Sequence, residues 1–355
     1  MLLSPTPSER SSITSRLLRS SQQPESFATY LQHYENAICG PLGNGRAFRS
    51  HEEIIQAALS LCNNPAVSRA DFEALTFAGR VVSPQDRERA TGGLTAVALM
   101  VVSDSKDYYS TIFRGTVKWE PQEPFVYFLQ NLFNTGTSTT PGPPGGVHTI
   151  YDQKKLKLWK LHSRFDLDIV GTNNIFEHLK LDPLARTLKI FHQVAFLRAQ
   201  LQLADGLPLA MNFEESLKRG CLPPKLVFET LALNQLVLLP FLTDRRSNSL
   251  LEKLIRRNGF DPNMRDYDIV RKIPPDFVFS VWAHRLDELH GFTKRQPPGN
   301  SIVAWFERHT SERNALTVAI LGLFLTVIIG LFGLVVAVLQ LVLAWYAYKY
   351  PKVDS

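Results

Sequence analysis

"HLKLDPLARTLKIF", residues 178–191, is the stretch on which the fold class turns. Leu179 and Leu181 recur every second residue, as do Leu188 and Ile190, so each pair marks one face of a strand. Asp182-Pro183 starts the turn between them, because Asp bonds its own backbone and Pro presets φ. The pattern predicts a β-hairpin with Leu181 opposite Leu188. The period then changes. In "HQVAFLRAQLQLA" (192–204), Val194, Leu197 and Leu201 keep helical spacing. Further on, "PPKLVFETLALNQLVLLPF" (223–241) reads as an apolar helix stopped by Pro240. "SNSLLEKLIRRNGF" (247–260) has Ser247 or Asn248 as its cap and Gly259 as its stop. "PDFVFSVWAHRLDELHGF" (275–292) places Val278, Trp282, Leu286 and Leu289 on one face. The expected class is mainly α with a small β-hairpin element.

Upstream, helices dominate. "FATYLQHYENAI" (27–38) is amphipathic. "SHEEIIQAALSLC" (50–62) opens with Ser50 and Glu53 in capping-box spacing, and Ser68 with Asp71 repeats the pattern. Ser83 caps a helix with Pro84 at its first position. Its apolar end, residues 94–102, suits a buried helix and is too short to span a bilayer. "KKLKLWKLH" (154–162) fits either a short edge strand or a helix start. "NTGTSTTPGPPGGVHT" (134–149) cannot build a packed core. The organisation expected is a disordered tail over 1–26, a helical region over 27–133 and a linker or loop over 134–149. A mainly helical domain with the hairpin follows over 150–306, then a transmembrane helix over 315–348 and a short tail over 349–355.

Composition narrows the function classes. The 355 residues are 45% hydrophobic and 20% charged, which is enough to bury a sizeable core. A net charge of +6 is too small and scattered for a dedicated nucleic-acid binder, but suits a body beside an anionic leaflet. Cys39, Cys62 and Cys221 are far apart, show no zinc-site spacing and read as reduced core thiols. The opening residues lack a continuous apolar run, so no secretory signal is expected.

Several segments after Thr172 carry a resemblance. They are "TNNIFEHLKLDPLARTLKIFHQVAFLRAQL" (172–201), "LPPKLVFETLALNQLVLLPF" (222–241) and "LIRRNGFDP" (254–262). "VWAHRLDELHGFTKRQPP" (281–298) and "AWFERHTSERNALTVAILGLFLTVIIGLFGLVVAVLQ" (304–340) close the set. Together they resemble a family of filamentous-fungal membrane proteins of unknown function. The resemblance covers roughly residues 172–340. It implies a cytoplasmic globular part with one C-terminal membrane helix, and no activity, cofactor or catalytic residue.

Residues 315–348 contain no charge. As a helix they would reach about 51 Å, against a hydrocarbon core of about 30 Å. One span is therefore expected, with Trp345, Tyr346, Tyr348 and Tyr350 as an aromatic belt and Trp305 and Phe306 on the near side. Lys294, Arg295, Arg308 and Arg313 precede the span, whereas only Lys349 and Lys352 follow it. The positive-inside rule then puts the large N-terminal body in the cytosol. Ala319, Gly322, Thr326, Gly330, Gly333, Ala337, Gln340, Ala344 and Ala347 recur every three or four residues and share one stripe. Small residues let helices approach closely in lipid, so the stripe predicts homo-oligomerisation.

No short motif forces an enzymatic reading. "HRLDELH" (284–290) sets His284 and Glu288 one turn apart, yet a solvated helix face accounts for them. If the hairpin pairs as expected, Glu177 sits opposite His192, as an acid/base couple or a structural ion pair. Arg245, Arg246, Lys253, Arg256 and Arg257 concentrate positive charge in one helix. They read as a contact for anionic headgroups, or as a solvated face partly paired with Glu252 and Asp244. The expectation is a single-pass membrane protein with a cytoplasmic interaction or scaffolding module, needing no cofactor and contacting the bilayer rather than nucleic acid. The alternative is a membrane-anchored enzyme without short motifs. A deep pocket gathering Glu177, His178 and His192 would mark it.

Overall fold

A computed structural model of the chain describes residues 2–39, 44–103, 118–134, 156–266, 277–295 and 315–349. They form two units, residues 1–296 and 297–355.

The first unit is mainly helical, with a small three-stranded sheet. Its helices are α1 (Pro7–Ser12), α2 (Ala28–Ile38), α3 (His51–Asn63), α4 (Arg69–Thr76), α5 (Pro84–Ala98) and α6 (Phe125–Asn134). After these come α7 (Leu158–Phe165) and the strands β1 (Asp168–Thr172), β2 (Leu181–Asp182) and β3 (Thr187–Phe191). The unit ends with α8 (Val194–Leu203), α9 (Phe213–Lys218), α10 (Pro224–Ala232), α11 (Arg245–Asn258) and α12 (Ala283–Arg295). Within the "KKLKLWKLH" segment, α7 starts at Leu158 with Lys157 as its N-cap.

The hairpin forms with the expected register, Leu181 against Leu188 and Asp182 against Thr187. Asp182 accepts from the amides of Leu184 and Ala185, both at 2.9 Å, and so closes the turn. The strand is shorter than its alternation implies. Leu179 has φ +62°, a conformation that a branched side chain seldom adopts. His178 and Leu179 are both fully buried, and a regular strand would turn one of them outward. β1 was not expected. It pairs parallel to β3, which becomes the central strand of the order β1-β3-β2.

The caps follow the sequence. Ser50, Ser68 and Ser83 each accept from the amide three residues on. At Ser50 the returning carboxylate is displaced, because Glu53 accepts from Arg49 N at 2.7 Å and pairs with Arg80. α11 is capped by Asp244, which accepts from Arg246 N at 3.0 Å, and not by Ser247 or Asn248. Ser247 is instead fully buried one turn later. Gly259 ends the helix at φ +66°, as expected.

Two expected boundaries change. Of the stretch 1–26, expected to be disordered, residues 2–26 are described and pack on the body. Thr6 and Glu9 form a capping box at the start of α1, and the π-helical turn Ile13–Leu17 follows. Ile13 and Leu18 are fully buried, and Arg10 pairs with Glu35 at 2.8 Å. Its Ser, Pro and Arg content hides a short apolar ridge, Ile13, Leu17 and Leu18, that packs into the core beside α3. Second, the regions 27–133 and 150–306 are not separate bodies, for one core runs through both. The rings of Tyr30 and Phe196 stack at 6.2 Å, and Phe133 meets Trp282 edge-on at 6.0 Å. Of the 134–149 linker, Asn134 ends α6 and the rest lies outside the described residues.

The second unit contains the C-terminal helix Ala315–Lys349. Its segment Leu323–Trp345 has a mean hydropathy of 2.8 and none of it is buried. It is a candidate membrane span by length and composition.

Candidate functional site: a basic helix face and a buried polar centre

α11 carries an asymmetric charge distribution. Ser247, Leu250, Leu251 and Leu254 face the core. At 3.6 residues per turn, Arg245, Arg246, Lys253, Arg256 and Arg257 fall within about 120° of arc on the other side. All five are exposed, and none forms an ion pair among the described residues.

The two acids that would have neutralised this face are engaged elsewhere. Glu252 pairs with Arg265. Asp244 accepts from Lys157 Nζ at 2.6 Å and from Trp159 Nε1 at 2.9 Å. The Lys157 hydrogen bond, with those from Trp159 and Arg246, holds its carboxyl well below the usual range. Trp159 is fixed beneath the face, with the Arg246 guanidinium 4.7 Å from its ring centre. Sequence reasoning named Asp244 only as a partner of the basic face and missed Trp159, because the Lys157 and Trp159 partners of Asp244 lie more than eighty residues away. Lys218 pairs with Glu214 at 2.7 Å, and Arg271 and Lys272 lie outside the described residues.

Glu177, His178 and His192 are each hydrogen-bonded into the scaffold by different partners, while His178 Nε2 and Ser247 Oγ stay buried without a hydrogen bond among the described residues. Glu177 turns to Lys189 Nζ at 2.6 Å and Thr172 Oγ1 at 2.8 Å. His192 Nδ1 accepts from Asp261 N at 3.1 Å, so the expected Glu177–His192 opposition is absent. Burial pushes the His192 imidazole down to about 4. His178 is pushed to about 3 by burial and the Arg285 charge, and its Nδ1 accepts from Phe191 N at 3.3 Å. Arg285 donates to the carbonyls of Phe176 and His178, bracing the turn that precedes Leu179. Its guanidinium also lies 5.2 Å from the Trp282 ring centre, and burial brings it down to about 10. Two more buried carboxylates act as caps. Glu229 accepts from the amides of Ser280, Val281 and Trp282 just before α12, and Asp261 from Ala195 N at 2.9 Å in α8.

A groove of about 330 Å³ between α3 and α4 is lined by Phe48, Glu53, Gln56, Leu75 and Arg80, and by none of Glu177, His178 or His192. Its charged pair is closed, with Arg80 on Glu53 at 2.7 Å. Among the described residues no three His, Cys, Asp or Glu side chains gather as a metal-binding group. His284 and Asp287 are exposed on α12, and burial raises the Glu288 carboxyl. Cys39, Cys62 and Cys221 are free and buried, and burial pushes the Cys39 and Cys62 thiols up to about 11.

In the C-terminal helix, Thr326, Gly330, Gly333, Ala337, Gln340 and Ala344 of the small-residue stripe are exposed. A Cβ added at Gly330 or Gly333 would meet nothing within 4 Å. The side chains of Ala319, Gly322 and Ala347 lie outside those described, as do Trp305, Phe306, Arg308 and Arg313. Lys349 Nζ sits 4.8 Å from the Trp345 ring centre, joining the charge to the aromatic end of the helix. Comparison with protein-family models, with curated proteins and with solved structures finds no match to the chain.

Proposed function

We propose that this chain is a single-pass membrane protein whose folded body serves as a cytoplasmic interaction or scaffolding module. One observation carries the reading. Leu323–Trp345 is strongly apolar, carries no charge and is wholly unburied. Water does not tolerate so large an apolar surface, and lipid tails are the natural solvent for it. The basic residues before the span, Lys294, Arg295, Arg308 and Arg313, outnumber Lys349 and Lys352 after it, which supports a cytoplasmic body. The stripe that includes Gly330 and Gly333 supports pairing of the span with its own copy, because small side chains let backbones approach.

Alkaline carbonate should leave the full chain in the membrane pellet. Protease added to sealed, cytoplasmic-side-out vesicles should digest the body. Extraction by carbonate would refute the anchor, and protection of the body would refute the orientation.

A further inference from the structure

We infer that the exposed basic face of α11 docks on an anionic bilayer surface. The inference rests on the anchored reading above and names the lipid chemistry that the body recognises. Five cations share one arc of the helix, and both neighbouring acids are withdrawn from it by Lys157, Trp159 and Arg265. A face shaped only for solubility has no need of that withdrawal, whereas a polyanion does. Two further features favour lipid over nucleic acid or an acidic protein. Trp159, partly buried under Arg246, is the amphipathic ring that settles at headgroup level. Leu242, two residues before the α11 cap, is 66% exposed and offers an apolar group to the headgroup–acyl boundary. Covalent geometry adds proximity. Residues 296–314 can reach at most about 65 Å, so the face is held at high effective concentration near any membrane that takes up the span.

The test uses the full chain. Ser249 lies within the basic arc and is exposed, while the three native cysteines are buried. Ser249→Cys therefore accepts an environment-sensitive fluorophore selectively. The labelled chain is reconstituted in phosphatidylcholine vesicles, with or without about one-third phosphatidylserine. The anionic vesicles should shift the emission to the blue and allow quenching by a headgroup-attached quencher. About 0.5 M salt should reverse both effects. Each basic residue near the surface is worth about fivefold in partitioning. The triple change Lys253→Gln, Arg256→Gln, Arg257→Gln should therefore cut the docked-to-undocked ratio about 100-fold, with the thermal transition unchanged. Leu242→Ser, a single exposed change, should weaken quenching while keeping its salt dependence. Equal quenching in neutral and anionic vesicles, or survival of the signal in the triple variant, would overturn the inference. So would tighter binding to a short mixed-sequence duplex than to anionic vesicles. Carbonate extraction with quenching intact would refute the anchor and uphold the docking. Carbonate retention without quenching would do the reverse.

Discussion

Two apolar runs of this chain meet opposite fates. Residues 94–101 form the end of α5 and the three residues after it, and Leu94, Val97, Met100 and Val101 are fully buried. In the C-terminal helix, Phe332 is 70% and Leu341 72% exposed. Both runs are uncharged, and the hydrophobic effect drives both out of water. The difference is the partner. Residues 94–101 are too few to cross a bilayer and are covered by the protein, with Tyr30 OH donating to Val97 O at 2.8 Å. The C-terminal helix spans 35 residues, and its segment Leu323–Trp345 is long and apolar enough to cross a bilayer. Length thus separates a core element from a candidate span more cleanly than hydrophobicity does.

The strongest challenge to this comparison is a pair of aromatic truncations. Phe196 is fully buried and stacks on Tyr30, so Phe196→Ala should remove about 3–5 kcal/mol from the urea stability of the body. Phe332→Ala should leave the same transition in place, because its side chain has no protein to lose. Equal losses would mean that the C-terminal helix belongs to the soluble core.

Acid should separate the regions next. The folded His192 titrates near 4 against an ordinary 6.5, so its contribution is fully present above pH 6.5 and is lost as the pH falls toward 4. The shift corresponds to about 3 kcal/mol. Glu229 and Asp261, whose carboxyls burial raises, act in the opposite sense and lose their contribution as the pH rises above the usual carboxylate range. His192→Asn retains an acceptor for Asp261 N and should flatten the slope between pH 6.5 and 4 relative to the parent. An unchanged slope would show that His192 is not the group responsible. Residues 315–348 hold no Asp, Glu, His, Lys or Arg, so membrane retention should not follow this curve.

A smaller effect is expected at the edge of the body. Asp244→Ala removes the α11 cap and the acceptor of Lys157 and Trp159, and should cost about 1–2 kcal/mol. Asp244→Asn should recover most of it. A neutral Ala variant in thermal melts would show that the part-buried ion pair and the cap hold nothing in place.

The least effect concerns the span itself. Gly333→Ile with Ala337→Ile should weaken in-membrane self-association by about 1 kcal/mol. Val335→Ile with Leu339→Ile, off the stripe, should not. Matching signals from the two variants would leave the segment as an anchor alone.

Local chemistry explains what was readable. Ser50, Ser68 and Ser83 act within three residues, Gly259 within one turn, and Asp182 within its own hairpin, so their signals sit beside their effects. The mainly helical class, the hairpin register and the uncharged span follow from such short-range patterns. The N-terminal helix was equally local, with Thr6-Pro7 and Glu9 in capping-box order, but its polar composition concealed it. At the candidate site, the clustering of Arg245 to Arg257 was legible because a helix converts spacing into a face. The freedom of those charges was not, since it depends on Arg265 and Lys157 claiming the nearby acids.

The amino-acid sequence by itself determined the Ser50, Ser68 and Ser83 caps, the Gly259 stop, which strand register pairs Leu181 with Leu188, and that residues 315–348 form one uncharged run long enough to cross a bilayer. Those properties depend on spacing, capping and length alone. Tertiary structure decided the rest: the parallel pairing of β1, the single core joining Tyr30 to Phe196, the separation of Glu177 from His192, and the unpaired basic face of α11. Each depends on groups far apart in the chain. Their meeting is set by how the whole core closes, and no local pattern records it.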